Sequence, residues 1–423
     1  DGDGEFGPDG DADIIKCGSV TNSGNGTYVE LGFEPQWILI KKSSGAAPWY
    51  LFDTMRGMTI NAPSGFGNTK FFSPNTNNEE LGLGGDISPS ATGFTLNTSE
   101  TDIIGGTFIY MAIRRGTKVP ESATEVFDMD TLGSTTPNPP SYNAGFPVDL
   151  GIMKSKTSGT DFWRVGARLT GEKRLRTDST DAEATDTQHK FDYQDGWYDA
   201  GSYVDSQYQS WMWKRAPGYF DVVAYTGNGT AGRTVSHNLT VAPEMMWVKS
   251  RSDAYSWIVY SSYIPNSSTN RLLLEGTSSA DSNTNIWWNS TNPASDSFTL
   301  GGGLAVNKSG SNYIAYLFAS LAGVSKVGSY TGDGTTDGSK VIDCGFTSGA
   351  RFVLLKKTTG SGGEWYVFDT VRGIVSGNES FLELNTTAAE ITSDDFIDPA
   401  SSGFAVNGHV NQSGETYIFY AIA

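Results

Sequence analysis

Four times along the chain a tryptophan follows a lysine by eight or nine residues, and an aliphatic residue stands two positions further on. The tryptophans are Trp49, Trp163, Trp257 and Trp365, and the aliphatics are Leu51, Val165, Val259 and Val367. Side chains alternate between the two faces of a strand, so each pair shares one side, and that side stays apolar in every copy. The opposite side varies: Tyr50/Phe52, Arg164/Gly166, Ile258/Tyr260 and Tyr366/Phe368. The four tryptophans are therefore expected to be buried structural anchors that mark the inside of each unit. Sugar stacking is the alternative role for them.

Longer phrases repeat in the same frame. Gly32-Phe-Glu-Pro-Gln-Trp-Ile-Leu-Ile-Lys-Lys42 returns as Gly345-Phe-Thr-Ser-Gly-Ala-Arg-Phe-Val-Leu-Leu-Lys-Lys357, and Trp49-Tyr-Leu-Phe-Asp-Thr-Met-Arg-Gly57 as Trp365-Tyr-Val-Phe-Asp-Thr-Val-Arg-Gly373. Each unit closes on an aromatic stretch, at 108–113, 211–213, 313–318 and 417–422. Self-similarity at a fixed period is the signature of a repeat array. It divides the chain into an acidic Gly/Asp-rich linker at 1–14 and four repeats at 15–115, 125–215, 220–320 and 326–423, the second the most divergent. With 51 glycines and abundant Ser, Thr and Asn between short alternating segments, the expected fold is all-β. More specifically, it is a tandem array of four lectin-like antiparallel β-sandwiches of the concanavalin or jelly-roll type. Each repeat has the common size of a domain, and the linkers near 116–124, 216–219 and 321–325 are short. Four separate folding blocks in a fairly rigid rod are expected, with the merger of two units into one larger sandwich as the alternative.

Acidic residues outnumber basic ones 47 to 29, for a net charge of −18. Affinity for nucleic acid comes largely from Lys and Arg on phosphates, so that partner is disfavoured. The longest apolar run, Tyr313 to Val324, is too short to span a bilayer, and no membrane insertion is expected.

Chemistry-bearing residues are sparse. Cys17 aligns with Val327 and Val223, and Cys344 with Leu31 and Leu239. Both are expected to be unpaired core thiols acting as small hydrophobes. His189, His237 and His409 lie in separate units amid polar sequence and are expected to be solvated. No triad, phosphate loop or metal-hydrolase motif occurs, and no carboxylate pair is marked out by spacing, so no catalytic residue and no cofactor is assigned. The motif Phe-Asp-Thr-x-Arg-Gly places Asp53 with Arg56 and Asp369 with Arg372. Each pair is expected to be a turn-closing Asp whose Arg bridges to a neighbour; a ligand-binding carboxylate and guanidinium is the alternative. The opening segment, with Asp1, Asp3, Asp9 and Asp11, offers oxygen ligands for calcium but lacks the glycine and distal Glu of an EF-hand loop. An acidic linker is the expected reading of it, with calcium as the alternative.

The run Ala315-Tyr-Leu-Phe-Ala-Ser-Leu-Ala-Gly-Val-Ser-Lys-Val-Gly-Ser-Tyr-Thr-Gly-Asp-Gly334, the stretch Val241-Ala-Pro-Glu-Met-Met-Trp-Val-Lys-Ser-Arg251 and the ending Tyr417-Ile-Phe-Tyr-Ala-Ile-Ala423 resemble a repeat family of tailed bacteriophages of marine and cyanobacterial hosts. Members are described as tail-fibre or other virion structural proteins. The resemblance covers units 1, 3 and 4 well and unit 2 poorly, and supplies no catalytic residues. It implies a non-enzymatic protein at the virion surface, presenting repeated modules for attachment to host-surface glycan. Its expected partners are other virion proteins, a host polysaccharide and further copies of itself. A capsid or tail decoration that binds only virion proteins is the alternative, and a polysaccharide-degrading enzyme comes after it.

Overall fold

The computed structural model of the protein describes residues 13–24, 26–60, 68–84, 87–97, 105–131, 139–199, 206–282 and 286–423. Among these residues the strands pair antiparallel throughout, and the one α-helical turn is Leu304–Asn307. The chain is all-β.

Unit 4 shows the plan most fully. Its larger sheet runs in the order Ser325–Thr331, Thr416–Ile422, Phe352–Lys357, Trp365–Asp369, Glu379–Glu383, Ile391–Asp394. A smaller sheet joins Lys340–Asp343, Gly403–Val406 and Ile397–Ala400. The first four strands recur in the same order in every unit. They are Ile15–Asn22, Gly106–Arg114, Pro35–Lys42 and Trp49–Asp53 in unit 1, and Phe127–Asp130, Tyr208–Trp213, Leu150–Ser155 and Arg164–Ala167 in unit 2. In unit 3 they are Phe220–Thr226, Asn312–Phe318, Met245–Ser250 and Ile258–Ser261.

Alternation gives each larger sheet two faces, and they have different partners. Val353, Leu355, Tyr366, Phe368 and Phe419 pack on Ile342, Phe404 and Val406 of the smaller sheet in unit 4. In unit 1 Ile38, Ile40, Tyr50 and Phe52 pack likewise on Val29, Phe94 and Leu96. The core of each sandwich thus lies on the face whose sequence varies. The expectation that tryptophan marks the inside of its own sandwich is corrected.

The tryptophan faces of units 2, 3 and 4 turn toward one another instead, and they bury a single common core. Trp163, Trp257 and Trp365 lie fully buried in it beside Trp211, Trp213, Trp247, Leu354 and Tyr420. A buried indole N–H needs an acceptor. Each finds one in the next unit, always in the same sense. Nε1 of Trp163 donates to the Glu383 carbonyl at 2.9 Å, that of Trp365 to Leu273 at 2.8 Å, and that of Trp257 to Arg176 at 2.7 Å. The lysine paired opposite each tryptophan does the same. Lys154 Nζ reaches the Thr387 carbonyl at 3.2 Å, Lys356 that of Thr277 at 2.9 Å, and Lys249 that of Thr180 at 3.0 Å. The acceptors are equivalent positions. Val165, Val259 and Val367 pair across from Leu175, Leu272 and Leu382, and the accepting carbonyls lie one and five residues after that leucine in all three units. Units 2, 3 and 4 form a closed pseudo-threefold ring.

The connections explain why the ring closes. Ala216 N–H donates to the Phe220 carbonyl at 2.9 Å, and Leu321 N–H to that of Ser325 at 3.1 Å, around Gly218 and Gly323, both at φ 72°. That value suits glycine at the third position of a tight turn. A closing strand therefore reverses at once into the next opening strand, and neighbouring units fold back on one another. The expected rod of separate blocks is corrected: three of the four units share one core.

Unit 1 stands outside the ring, joined to it by a buried ionic cluster. Arg215 Nη1 meets Glu34 Oε1 at 2.7 Å and its Nε meets Asp149 Oδ1 at 3.3 Å, while Arg115 spans Glu34 and Asp221, each at 3.4 Å. Burial alone pushes the Asp149 carboxyl up, but the Arg215, Arg168 and Arg115 charges outweigh it and hold it below the ordinary carboxylate range.

Two expectations fail on unit 1 for one reason. Trp49 is only half-buried and Cys17 is exposed, because among the described residues the tryptophan face of this unit packs on no other unit. Cys17 lies across from Met111, as Val327 does from Tyr420 and Val222 from Tyr316, so its counterpart in unit 3 is Val222 and not Val223. Cys344 is buried, and burial pushes its thiol up to about 12.

Candidate functional site

Where unit 1 rests on the ring, two clefts among the described residues are large enough to consider. The first, about 210 Å³, lies between the turn after Trp49–Asp53 and unit 2. Arg56, Lys70, Lys173 and Lys190 line it with Glu172 and Asp192. Its charges are mostly spoken for. Lys190 is bound to Glu172, and Arg168 donates to the carbonyl of Phe191 and, at 3.0 Å, to that of Val148. His189 also lines it and is not the solvated residue expected. It lies fully buried, edge-on to Trp197 at 5.3 Å, and burial pushes it down to about 4, so the ring is neutral near pH 7.

The second cleft is larger, about 420 Å³, within the range of small-ligand sites. One wall is the three-stranded sheet of unit 1, Thr27–Glu30, Gly93–Leu96 and Ile87–Ser90. The other is the edge strand Phe220–Thr226 of unit 3 with Arg233–Ser236. Alternation points Ser88, Ser90 and Thr95 of unit 1 away from the core residues Ile87, Phe94 and Leu96, and so into the cleft.

The cleft is a lattice of hydroxyl and amide groups. Tyr28 Oη lies 2.6 Å from Thr92 Oγ1 and accepts from Ser90 Oγ at 3.4 Å, while Asn97 Nδ2 donates to Ser88 Oγ at 3.0 Å. Opposite, Thr226 Oγ1 donates to Asn312 Oδ1 at 2.8 Å. Tyr28 exposes 45% of its surface, and burial pushes its phenol up, so it stays protonated and can donate as well as accept. Arg233 is the one charged residue among the described lining, held over the Tyr225 ring at 5.5 Å and bound to the Thr226 carbonyl. No Asp or Glu is among the described lining residues. Such a surface can hold a polyhydroxylated ligand by many weak bonds, with an aromatic face beside it.

The sequence candidates fall elsewhere. Arg372 Nε meets Asp369 Oδ2 at 2.7 Å with both side chains buried, and Trp211 Nε1 donates to the same oxygen at 3.0 Å, so this pair has no opening to a ligand. Asp53 pairs with Arg56 by the same turn, Arg56 N–H donating to Asp53 Oδ1 at 2.8 Å, and Arg56 lies over the Phe72 ring at 4.2 Å. Arg56 lines the first cleft and Asp53 does not. Asp1, Asp3, Asp9 and Asp11 lie outside the described residues. Among those described, no group of three or more His, Cys, Asp or Glu is placed to hold a metal. The residues of the second cleft carry no sequence signal, because Ser, Thr and Asn are common everywhere in the chain and the cleft forms only where two units meet.

Residues 15–115 and 131–423 match a family described as a domain of unknown function (DUF7483), and the chain belongs to that family. No curated protein matches the chain.

Proposed function

We propose that the protein is a non-enzymatic structural component of a tailed-bacteriophage particle whose cleft between units 1 and 3 holds a host-surface polysaccharide. The observation that carries this reading is the cleft's lining: Tyr28, Ser88, Ser90, Thr95, Asn97, Arg233 and Asn312, with no carboxylate among the described residues. Glycoside hydrolysis needs a pair of carboxyl groups about the scissile bond, and this lining favours binding without cleavage. A lectin-like role for the sandwiches and the likeness to phage repeats point the same way. Several copies on one particle would turn weak single sites into useful avidity.

A glycan array probed with the chain, against Arg233→Ala and Tyr28→Ala, tests it. Binding that falls at least about tenfold in either variant, roughly 1.4 kcal/mol, supports the cleft. No binding to any surface glycan favours a decoration protein that contacts only virion components. Release of reducing ends from host polysaccharide would replace attachment with hydrolysis, and Glu172 and Asp192 of the first cleft would be the residues to test.

A further inference from the structure

Unit 1 carries the same tryptophan face that closes the ring, yet nothing among the described residues covers it. Ile15 is 45% exposed, Ile109 44% and Phe72 37%, and Leu39, Trp49, Leu51 and Met111 between them are half-buried. Their counterparts in unit 4, among them Leu354, Trp365, Val367, Tyr420 and Ile418, are all fully buried or nearly so. A contiguous apolar sheet face of this kind marks an interaction surface.

We propose that unit 1 closes a second ring with unit 1 of two further copies of this chain, in the geometry that units 2, 3 and 4 adopt within one copy. The observation specific to this proposal is that unit 1 presents both halves of the ring contact at the equivalent positions. In the ring the donors are the tryptophan and its opposite lysine; in unit 1 these are Trp49 and Lys41, directly paired. The acceptors lie one and five residues after the residue bridged to the i+2 aliphatic. In unit 1 that residue is Phe72, bridged to Leu51, so the acceptors are the carbonyls of Ser73 and Asn77.

The accepting turn is already built. Ser73 O accepts from Thr76 N–H at 3.0 Å, as Glu383 O does from Thr386 at 3.2 Å and Leu273 O from Gly276 at 3.4 Å. Two residues on, Asn75 Oδ1 accepts the Trp49 N–H at 2.9 Å, as Asn385 Oδ1 does from Trp365 at 2.9 Å and Glu275 Oε2 from Trp257 at 3.0 Å. Lys41 Nζ holds the carbonyl of its neighbour Lys42 at 2.9 Å, just as Lys249 holds Ser250 at 3.0 Å, while Lys249 has in addition the carbonyl from the next unit.

Among the described residues the three other units already satisfy one another in a closed ring, so the proposed partner is another copy. A head-to-tail contact that closes after three members gives a trimer and not a filament. Asp53, an acid at this face, is paired with Arg56. This inference is independent of the glycan reading.

Sedimentation velocity of the 423-residue chain from roughly 1 to 100 µM tests it, a span in which a specific interface of ordinary strength would be populated. The expected species is three times the chain mass of 45.4 kDa. Leu39→Asp and Ile109→Lys, which alter the open face and leave the sandwich core of unit 1 untouched, should each give a monomer that still melts cooperatively. Trp49→Phe, which removes the Nε1 donor, should weaken association at least about tenfold. Alkylation of Cys17 supplies a second readout: slow in the wild type at high concentration, fast on dilution and in Leu39→Asp, with Cys344 protected throughout. A wild-type chain that stays monomeric or stops at a dimer, or a Leu39→Asp variant that remains trimeric, would overturn the proposal.

Discussion

Trp211 in unit 2 donates its indole N–H to Asp369 of unit 4 at 3.0 Å, and the Arg372 guanidinium lies over that same indole ring at 5.3 Å. One motif thus serves two ends. Within unit 4, Asp369 closes the turn by accepting the Arg372 N–H at 2.9 Å; between units, it holds the wall of the shared core. Its counterparts in units 2 and 3 are Ala167 and Ser261, so the contact occurs once in the ring.

Replacing Asp369 with Ala should therefore cost much more than replacing Asp53. The first takes the nearest carboxylate from a buried guanidinium, which keeps the Val367 carbonyl and Glu390, and the acceptor from an indole N–H, a loss of about 3–5 kcal/mol. The second breaks a partly exposed pair worth about 1 kcal/mol or less. Urea midpoints of the two variants decide the point, and equal losses would show that Asp369 is not the interunit clamp.

Residues 326–423 expressed alone should aggregate or self-associate, because Leu354, Trp365, Ile418 and Tyr420 would face water. Residues 121–423 should be soluble and melt in one transition, since their three units share a core. A monomeric, cooperatively melting 326–423 fragment would count against that shared core.

Trp365→Ala should lower the stability of the ring by roughly 3–5 kcal/mol, the range for emptying the site of a buried large aromatic. The loss should appear in the melting of units 2, 3 and 4 together. A partial transition confined to unit 4 would contradict a common core.

Arg215→Met should cost about 3–5 kcal/mol, because Glu34, Asp149 and Asp221 would lose a buried cationic partner that all three share. Calorimetry should also show unit 1 separating from the ring as a second transition. A variant as stable as the wild type would mean that water reaches the cluster.

Glu379 sets a pH dependence. Burial pushes its carboxyl up to about 7, although Oε1 accepts the N–H groups of Phe396 at 2.9 Å and Ile397 at 3.3 Å. A carboxyl raised in the folded state stabilises fully below its unfolded value near 4.5, and that contribution is lost as pH rises through about 7. The stability advantage of wild type over Glu379→Gln should shrink between pH 4.5 and 8. A gap constant with pH would place the carboxyl in solvent.

What the sequence determined on its own is the unit. The spacing of Lys, Trp and aliphatic put the same three side chains on one face of two paired strands in all four copies, and period-two alternation with glycine-rich breaks set the all-β class. Strand pairing is local enough for the pattern to dictate it: Lys41 opposite Trp49 and Lys356 opposite Trp365 follow from hairpins in which tryptophan comes eight and nine residues after its lysine. What only the tertiary structure decided is which side of each sheet meets which partner. Both faces of these sheets are apolar, so hydrophobicity could not say that Tyr366 and Phe368 line the sandwich while Trp365 and Val367 line the ring. Nor could it separate Trp49 from Trp365, which stand in nearly identical phrases, because burial there depends on sheets hundreds of residues away. The second cleft was hidden for the same reason: its walls come from residues 28–97 and 223–312, and neither carries a pattern of its own until the two units meet.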